Sequence, residues 1–142
     1  MALLFIYRSD SKVSFECPFC EIAATDSANR IRIRNEHGFV IRDGFPLTEG
    51  HSLVIPNQHV GSFFDLTVEV QTALLDLVKI ARNELAKELG IVDLNVGIND
   101  GPLAGQTVPH CHIHLIPRRD GDVSDPRGGV RWIIPNKADY WT

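Results

Sequence analysis

Apolar residues recur every three or four positions between residues 70 and 89, which is the spacing of a helix with one buried face. Asp65 or Thr67 can cap the start of this helix, and Gly90 is suited to its end. The pattern therefore predicts one long amphipathic helix, whose buried face is formed by Ala73, Leu74, Leu77, Val78, Ala81, Leu85 and Leu89.

Shorter apolar runs indicate strands. Residues 38–42 and 52–56 are two such runs, and the segment between them is rich in glycine and proline. This arrangement predicts a strand, a loop and an antiparallel return. Residues 94–99 predict a further strand, and residues 17–24 a short helix with Pro18 at its first position, where a missing N–H costs little.

A different alternation marks residues 110–116, His-Cys-His-Ile-His-Leu-Ile. Because successive side chains of a strand point to opposite faces, His110, His112 and His114 are expected to share one face. The apolar residues between them are expected to face the long helix, which leaves the histidines on the open side of the sheet. These apolar residues are Cys111, Ile113 and Leu115.

The elements together predict an α+β fold, with an antiparallel sheet of about five strands, one long helix and a short N-terminal helix. A chain of 142 residues suits a single domain with its own core. We expect residues 17–120 to form that core and residues 1–16 to form an N-terminal arm. Aromatic residues near the C-terminus predict that the tail, residues 121–142, packs against the domain.

Composition and net charge limit the partners and the location that we expect for the protein. The net charge of −4 provides no general basic field, so neither nucleic acid nor an anionic membrane is an expected partner. No apolar run approaches the ~20 residues that a membrane-spanning helix needs. Three cysteines, an odd number, argue against a disulfide framework and favour a reducing, cytoplasmic location.

The histidine row allows two kinds of chemistry. One is metal binding, although a strand rise of ~3.3 Å per residue separates the outer histidines too far for one ion to reach all three easily. One or two of them could serve as ligands together with residues from elsewhere. The other is covalent catalysis, in which His112 attacks a substrate. Gly105, Gln106 and Thr107 precede the row and resemble a phosphate cradle beside a nucleophile.

Residues 99–118 read Asn-Asp-Gly-Pro-Leu-Ala-Gly-Gln-Thr-Val-Pro-His-Cys-His-Ile-His-Leu-Ile-Pro-Arg. This stretch resembles the signature of the histidine triad (HIT) family of nucleotide hydrolases and transferases. The Gly-Gln-Thr segment is similar to the dinucleoside polyphosphate hydrolase branch, whereas the galactose-1-phosphate uridylyltransferase branch fits poorly. Residues 39–43 and 50–56 extend the resemblance upstream, so that it covers roughly residues 17–120.

The resemblance implies a HIT-like fold and a hydrolase that acts on the α-phosphorus of a nucleotide. His112 would form a nucleotidyl-histidine intermediate, which water then hydrolyses to release a nucleoside monophosphate. A diadenosine polyphosphate is the leading substrate class, and a nucleoside phosphoramidate is the alternative. A nucleotide-binding regulatory module with vestigial activity, and a hydrolase with zinc at the triad, are the competing hypotheses from other classes.

The resemblance also assigns roles to individual residues. His110 would orient the nucleophile, His114 would steady the phosphate, and Asp43 would bind the ribose hydroxyls. Asn99 matches a position on the phosphate side. The base-pocket positions are Phe19, Ile22 and Ile41. A homodimer with joined sheets is implied as well.

Cys17 and Cys20 form a C-x-x-C pair, which allows a redox pair, a structural zinc site or two ordinary core cysteines. Zinc-bearing members of the family add a histidine after the Ile-Pro strand and the first histidine of the triad. His59 and His110 occupy those positions, so the resemblance implies a structural Zn²⁺ site. Mg²⁺ would have to arrive with the substrate phosphates. His51 is expected to be a structural histidine.

Overall fold

The computed structural model of the chain describes residues 5–6 and 14–142. Its centre is an antiparallel sheet of five strands in the order β3-β4-β5-β7-β6, and a separate two-stranded ribbon joins β1 to β2. The strands are β1 (Phe5–Ile6), β2 (Ser14–Phe15), β3 (Ile31–Arg34), β4 (Gly38–Arg42), β5 (Ser52–Pro56), β6 (Leu94–Gly97) and β7 (Ile113–Pro117).

Within the described residues, three α-helices accompany the sheet: α1 (Pro18–Thr25), α2 (Val68–Leu89) and α3 (Pro135–Ala138). The long helix α2 begins where the sequence predicts, because the Thr67 hydroxyl accepts a hydrogen bond from the Val70 amide. It ends at Gly90, whose φ of 68° lies in the left-handed region that glycine adopts readily. The predicted short helix and its initial proline are confirmed as α1.

The two faces of the sheet bury different sets of side chains. Val40, Val54 and Ile113 pack against α2, together with Leu74 and Leu77 of the helix. Alternate residues of the same strands face α1 and form a second cluster with it. This second cluster consists of Cys17, Phe19, Cys20, Ile22, Phe39, Ile41, Leu53 and Ile55. The sheet is therefore a middle layer, and α1 covers part of the side that the sequence analysis leaves open.

The predicted strand through the histidines is too long at its start. β7 begins at Ile113, so His110 and His112 lie in an irregular segment before it. The cause is a tertiary hydrogen bond, because the Cys111 amide donates to the carbonyl of Val60 in the loop after β5, at 2.7 Å, rather than to a strand. His110 is fully buried and His112 is 8% exposed, so the expectation of three histidines on an open face is wrong.

The α+β class, the five-stranded antiparallel sheet and the long helix are confirmed. β4 and β5 match the predicted strands at both ends, β6 stops two residues early, and β3 is an element that the sequence analysis did not predict. The proposed N-terminal arm falls largely outside the described residues. Among the described residues, no helix has the length and apolar character that a membrane crossing requires.

The C-terminal tail folds back on the domain as a short 3₁₀ helix, Gly129–Ile133, followed by α3. Arg131 donates hydrogen bonds to the carbonyl oxygens of Lys137 and Ala138, and Ala138 is fully buried. Large apolar side chains of the same segment stay exposed, among them Ile133 at 81%. Hydrogen bonds within the tail therefore stabilise its fold, but part of its apolar surface stays exposed.

Candidate active site and metal centre

His112 is held in one tautomer by its own backbone neighbourhood. Its Nδ1 lies 2.8 Å from the carbonyl oxygen of His110, and a carbonyl oxygen can only accept a hydrogen bond. Nδ1 therefore carries the hydrogen, and in the neutral ring the lone pair is on Nε2. The ring lies between Phe19 and His114, with centroids 5.1 Å from each. The geometry leaves His112 with a free nitrogen that can act as a nucleophile.

His114 is oriented by His51 through a chain of hydrogen bonds. The backbone N–H of Leu47 donates to His51 Nδ1 at 3.1 Å, so the hydrogen of the neutral His51 ring is on Nε2. That Nε2–H lies 3.0 Å from Nδ1 of His114 and donates to it. His114 consequently keeps its own hydrogen on Nε2, where it can be donated to a phosphate oxygen.

Asp43 completes this group. Its Oδ2 atom is 3.4 Å from His51 Nε2, and its Oδ1 atom accepts a hydrogen bond from the Phe45 amide. Asp43, His51 and His114 offer ligand atoms within 4.8 Å of one another, a spacing that a metal ion could use. The Leu47 amide argues against that use, because His51 Nε2 carries a hydrogen and has no lone pair for a metal.

Both histidines of this group favour the neutral state. Burial, followed by the proximity of His112 and His51, lowers the pKa of His114 to about 4. Burial also lowers the pKa of His51, against the attraction of Asp43. At neutral pH, His114 is thus an uncharged hydrogen-bond donor, which suits contact with a phosphate that is losing or gaining charge.

His51 is the site residue that sequence reasoning missed. It directly precedes β5, and the sheet register places Leu53 of β5 opposite His114 of β7. Because residues 51 and 53 share one face, His51 comes next to His114 once the two strands pair. The missing information was the pairing of β5 with β7, which the sequence alone does not provide.

The predicted metal ligands converge. Cys17, Cys20, His59 and His110 place their ligand atoms within 4.8 Å of one another. Nδ1 of His110 lies 3.4 Å from Cys17 Sγ, 3.5 Å from Cys20 Sγ and 3.2 Å from His59 Nδ1. Cys20 Sγ is 3.1 Å from His59 Nδ1. A tetrahedral zinc ion separates its ligands by about 3.4 Å between two nitrogens and about 3.6 Å between nitrogen and sulfur.

The tautomer of His110 also fits a metal. Its Nε2 donates to the carbonyl oxygen of Pro56 at 2.8 Å, so the Nδ1 lone pair points into the group of cysteines. Burial lowers the pKa of His110 to about 4, which keeps the ring neutral. Burial and Cys17 together raise the pKa of the Cys20 thiol to about 12. A redox-active cysteine has a lowered pKa, so this environment argues against the redox interpretation, and the convergence of four ligand atoms is what supports the zinc interpretation.

The loop before the triad is shaped by Gln106. The side-chain amide of Gln106 donates to the carbonyls of Gly61 and Val108, and its oxygen accepts from the Gly101 amide. The backbone amides of Gly105 and Gln106 donate to carbonyls inside the same turn. These donors are therefore used within the protein and hold the loop, contrary to the expectation of a cradle that presents them to phosphate. Thr107 and Gly105 are exposed.

The remaining predicted residues fall into two groups. Phe19, Ile22 and Ile41 belong to the buried cluster beside α1, and Phe19 contacts the His112 ring. Asp43 and Asn99 line a cavity of about 1000 Å³ together with His51 and His114. The far wall of this cavity is formed by the C-terminal tail.

The arrangement was compared with known proteins. The sequence model of the HIT domain family matches residues 25–121, a range that contains the whole triad and His59. The chain belongs to the HIT domain family. Cys17, Cys20 and residues 122–142 lie outside the matched range.

Among curated relatives of this HIT protein, adenylylsulfatase HINT3 of Arabidopsis thaliana is 33% identical over 79% of the chain. The asymmetrical bis(5'-nucleosyl)-tetraphosphatase of Schizosaccharomyces pombe is 42% identical over 56% of the chain. Adenosine 5'-monophosphoramidase HNT1 of Saccharomyces cerevisiae is 35% identical over 73% of it. The matched parts are 57%, 44% and 63% of those proteins, so the chain spans only part of each.

Solved structures give the same result. A HIT family protein from Bacillus anthracis has a TM-score of 0.69 and 36% identity, covering 75% of each chain. A zinc-bound histidine triad family protein from Mycobacterium smegmatis also has a TM-score of 0.69, with 34% identity over 75% of this chain and 77% of that one. The observed architecture is thus the fold of the family.

Proposed function

We propose that this HIT protein is a hydrolase that cleaves the α-phosphate linkage of a nucleotide through a covalent intermediate on His112. The observation that carries the proposal is the hydrogen bond from His112 Nδ1 to the carbonyl oxygen of His110, 2.8 Å long. It leaves Nε2 unprotonated in a ring that is nearly buried, which is the state that a nucleophilic imidazole needs.

The reaction has two displacements. In the first, His112 Nε2 forms a bond to the α-phosphorus, and the bond from that phosphorus to the bridging atom of the leaving group breaks. The electron pair of that bond departs with the leaving group. In the second, water attacks the phosphorus and the P–N bond breaks, so that its electron pair returns to His112 Nε2. The nucleoside monophosphate is released, the attacking water loses one proton to solvent, and the leaving group of the first step takes up one proton from solvent. Both steps develop charge on phosphate oxygens, which positioned donors stabilise.

Several residues support these steps. The Nε2–H of His114 is a neutral donor to a phosphate oxygen. Asn99 lines the same cavity as His114, and Asn99 and Thr107 are both exposed polar residues. Asp43 accepts the ribose hydroxyls, and Phe19, Ile22 and Ile41 support the base. Gly105 and Gln106 act by holding the loop that carries Thr107.

Cys17, Cys20, His59 and His110 would hold a structural Zn²⁺ ion. The ion would supply a rigid tetrahedral link between α1 and the segment that carries the nucleophile. The four side chains complete its coordination, so no position stays open for substrate. Of the two groups of metal-ligating side chains in the described residues, neither is built from carboxylates alone, and Mg²⁺ gains no support from them.

Two substrate classes fit the names of the relatives, a dinucleoside polyphosphate and a nucleoside phosphoramidate. Both would deliver the same nucleotide to His112 and differ in the leaving group. The protein is further proposed to form a homodimer and to act in the cytoplasm. A regulatory nucleotide-binding module is the weaker alternative, because such a module has no use for an oriented nucleophile.

The proposal is tested by measuring hydrolysis of diadenosine tetraphosphate and adenosine 5'-phosphoramidate by the unmodified chain and by His112→Ala. We expect turnover of at least one substrate, and a loss of about 10³-fold or more in kcat for the variant, because the nucleophile is removed. His37→Ala is the control, since His37 faces Glu69 of α2 at 3.4 Å and has no part in the mechanism. Turnover that survives His112→Ala would show that the covalent mechanism is wrong.

A further inference from the structure

Asp100 is a carboxylate that takes no part in the chemistry above. It is half-buried and lies between β6 and the loop that leads to the triad. Its Oδ2 atom accepts a hydrogen bond from the Ser62 hydroxyl at 2.9 Å, and its Oδ1 atom accepts one from the Phe63 amide at 2.8 Å. The two donors are 38 and 37 residues away in sequence, in the loop after β5. Both carboxylate oxygens therefore join two loops that are distant in sequence.

The contact with Ser62 also shapes the start of a helix. Ser62 directly precedes the short 3₁₀ helix Phe63–Asp65, and its Oγ atom accepts a hydrogen bond from the Phe64 amide at 3.1 Å. The first amides of a helix have no partner within the helix. Here Asp100 accepts from the first of them and Ser62 from the second. Asp100 therefore fixes the path of the loop at the point where this helix begins.

The same loop supports the backbone of the triad. The carbonyl oxygen of Val60 accepts a hydrogen bond from the Cys111 amide at 2.7 Å. That amide and the carbonyl of His110 belong to one peptide unit, which is planar, so the direction of its N–H sets the direction of its C=O. The His110 oxygen is the atom that lies 2.8 Å from Nδ1 of His112. The position of Val60 therefore sets the direction of the bond that orients the proposed nucleophile.

A second side chain joins the same two loops. Gln106 donates to the carbonyl of Gly61 at 2.9 Å and accepts from the amide of Gly101 at 2.8 Å. Gly61 directly precedes Ser62, and Gly101 directly follows Asp100, so the two links are neighbours along both loops. Because Gln106 stays in place, removal of Asp100 is expected to misplace the loop without releasing it.

We propose that Asp100 is a positioning residue for His112. It holds the loop after β5 in the place where the Val60 carbonyl orients the peptide unit of His110 and Cys111. The oxygen of that peptide unit then holds the Nδ1–H of His112. This inference rests on the proposed function, since it assigns Asp100 to the nucleophile of that reaction.

The first test is the kinetics of Asp100→Ala with a nucleotide that the unmodified chain hydrolyses. We expect kcat to fall about tenfold with KM changed less than about twofold, because a small misplacement of the nucleophile slows the chemical step and leaves substrate binding intact. Zinc content is measured on the same sample and should equal that of the unmodified chain, since the side chains of Cys17, Cys20, His59 and His110 all remain. A loss of zinc in step with kcat would overturn the proposal, because the effect would then run through the metal group.

The Nδ1–H of His112 provides a second measurement, which needs no substrate. The ring is 8% exposed and this hydrogen is bonded to the His110 carbonyl, so we expect its proton signal to be observable in nitrogen-15 labelled protein. In Asp100→Ala the carbonyl is less well oriented, and the signal should broaden through faster exchange with water. An unchanged signal would overturn the proposal, whether or not the chain hydrolyses a nucleotide.

Two further variants separate the hydrogen bonds from the residue itself. Asp100→Asn keeps an acceptor for the Phe63 amide and can donate to Ser62 Oγ, so we expect it to retain most of kcat and the His112 signal. Ser62→Ala removes one of the two bonds, and a smaller fall in kcat is expected. In combination with Asp100→Ala it should add no further loss, because both changes break the same link. Ser62→Ala carries the test alone if Asp100→Ala does not fold. Equal losses in Asp100→Asn and Asp100→Ala would contradict the positioning role.

Asn35→Ala is the control for loss of stability. Asn35 Oδ1 accepts hydrogen bonds from the amides of His37 and Gly38, at 2.9 and 3.0 Å, in the turn between β3 and β4. We expect this variant to lower Tm and to leave both kcat and the His112 signal unchanged. An equal fall in kcat in Asn35→Ala would show that any destabilisation slows the reaction, and the proposal would be wrong.

The remaining outcomes separate this proposal from the proposed function. A rise in KM with kcat unchanged in Asp100→Ala would overturn the positioning of His112 and leave the hydrolase intact, because Asp100 would then act on substrate binding through its neighbour Asn99. Absence of hydrolysis by the unmodified chain would overturn the proposed function. The His112 signal would in that case still decide whether Asp100 orients the ring.

Discussion

Each histidine of the triad has a different hydrogen-bond partner, and that partner fixes which ring nitrogen is free. His110 donates from Nε2 to Pro56, so Nδ1 faces the cysteines. His112 donates from Nδ1 to the carbonyl of His110, so the lone pair of the neutral ring is on Nε2, the proposed nucleophilic atom. His114 accepts at Nδ1 from His51, so Nε2–H is a donor. At the scale of the residue, three identical side chains thus have three different chemical properties.

His51 supports a prediction at this scale, since it orients His114 through the hydrogen bond to His114 Nδ1. His51→Leu removes the donor to His114 Nδ1, and His114 can then place its hydrogen on either nitrogen. We expect kcat to fall by about tenfold with little change in KM, which is at the lower end of the effect of losing a proton-transfer group. Nitrogen NMR of labelled histidine should show the Nε2–H form of His114 in the unmodified chain and a mixture in the variant.

The matched variant is His51→Gln, whose amide can accept from Leu47 and donate to His114. Recovery of most of the activity is expected, because the hydrogen bonds rather than the imidazole itself are required. Equal loss of kcat in the two variants, with an unchanged His114 tautomer, would contradict the positioning role.

At the scale of the element, the group formed by Cys17, Cys20, His59 and His110 brings together parts of the chain that the sheet does not connect. Cys17 and Cys20 are at the start of α1, His59 follows β5, and His110 precedes β7. The backbone carbonyl of His110 also accepts the hydrogen bond from Nδ1 of His112, the proposed nucleophile. A change in the four-residue group therefore reaches the nucleophile through a single residue.

Zinc removal tests this link. We expect about one zinc ion per chain by elemental analysis, and a fall in Tm of roughly 10 °C after chelation, because metal binding contributes directly to folding free energy. Cys17→Ser should lose the zinc and show the same fall. Activity should decline in step with unfolding, since no substrate position is open on the ion.

Cys111→Ala is the control for zinc content. Its thiol lies in the other core cluster, against α2, and the variant should retain the full complement of zinc. Immediate and complete loss of activity on chelation, with Tm unchanged, would instead indicate that the metal takes part in the reaction.

At the scale of the whole molecule, the features with strong local signals were predictable. The apolar period of α2, the Thr67 cap, and the runs that form β4 and β5 each carry their information within a few neighbouring residues. The same holds for the order of the triad and for the Cys17–Cys20 pair. The resemblance to the histidine triad signature then related these separate features to one fold.

The remaining features depend on contacts between distant segments. The predicted start of β7 was wrong because the Cys111 amide donates its hydrogen bond to the carbonyl of Val60, which lies fifty-one residues away in sequence. His51 was missed because its place depends on the pairing of β5 with β7. The role of Gln106 in holding the loop depends on its hydrogen bond to the carbonyl of Gly61. Each contact is set by the tertiary fold, which local patterns do not encode.

The covalent intermediate is the central claim, and trapping it tests the account most directly. The chain is mixed with diadenosine tetraphosphate or adenosine 5'-phosphoramidate, quenched during turnover, and analysed by mass spectrometry of the intact protein and its peptides. The account predicts an added adenosine monophosphate on the peptide that contains His112, localised to that side chain and absent from His112→Ala. Rapid hydrolysis with no adduct at any time point, or an adduct on another residue, would contradict it.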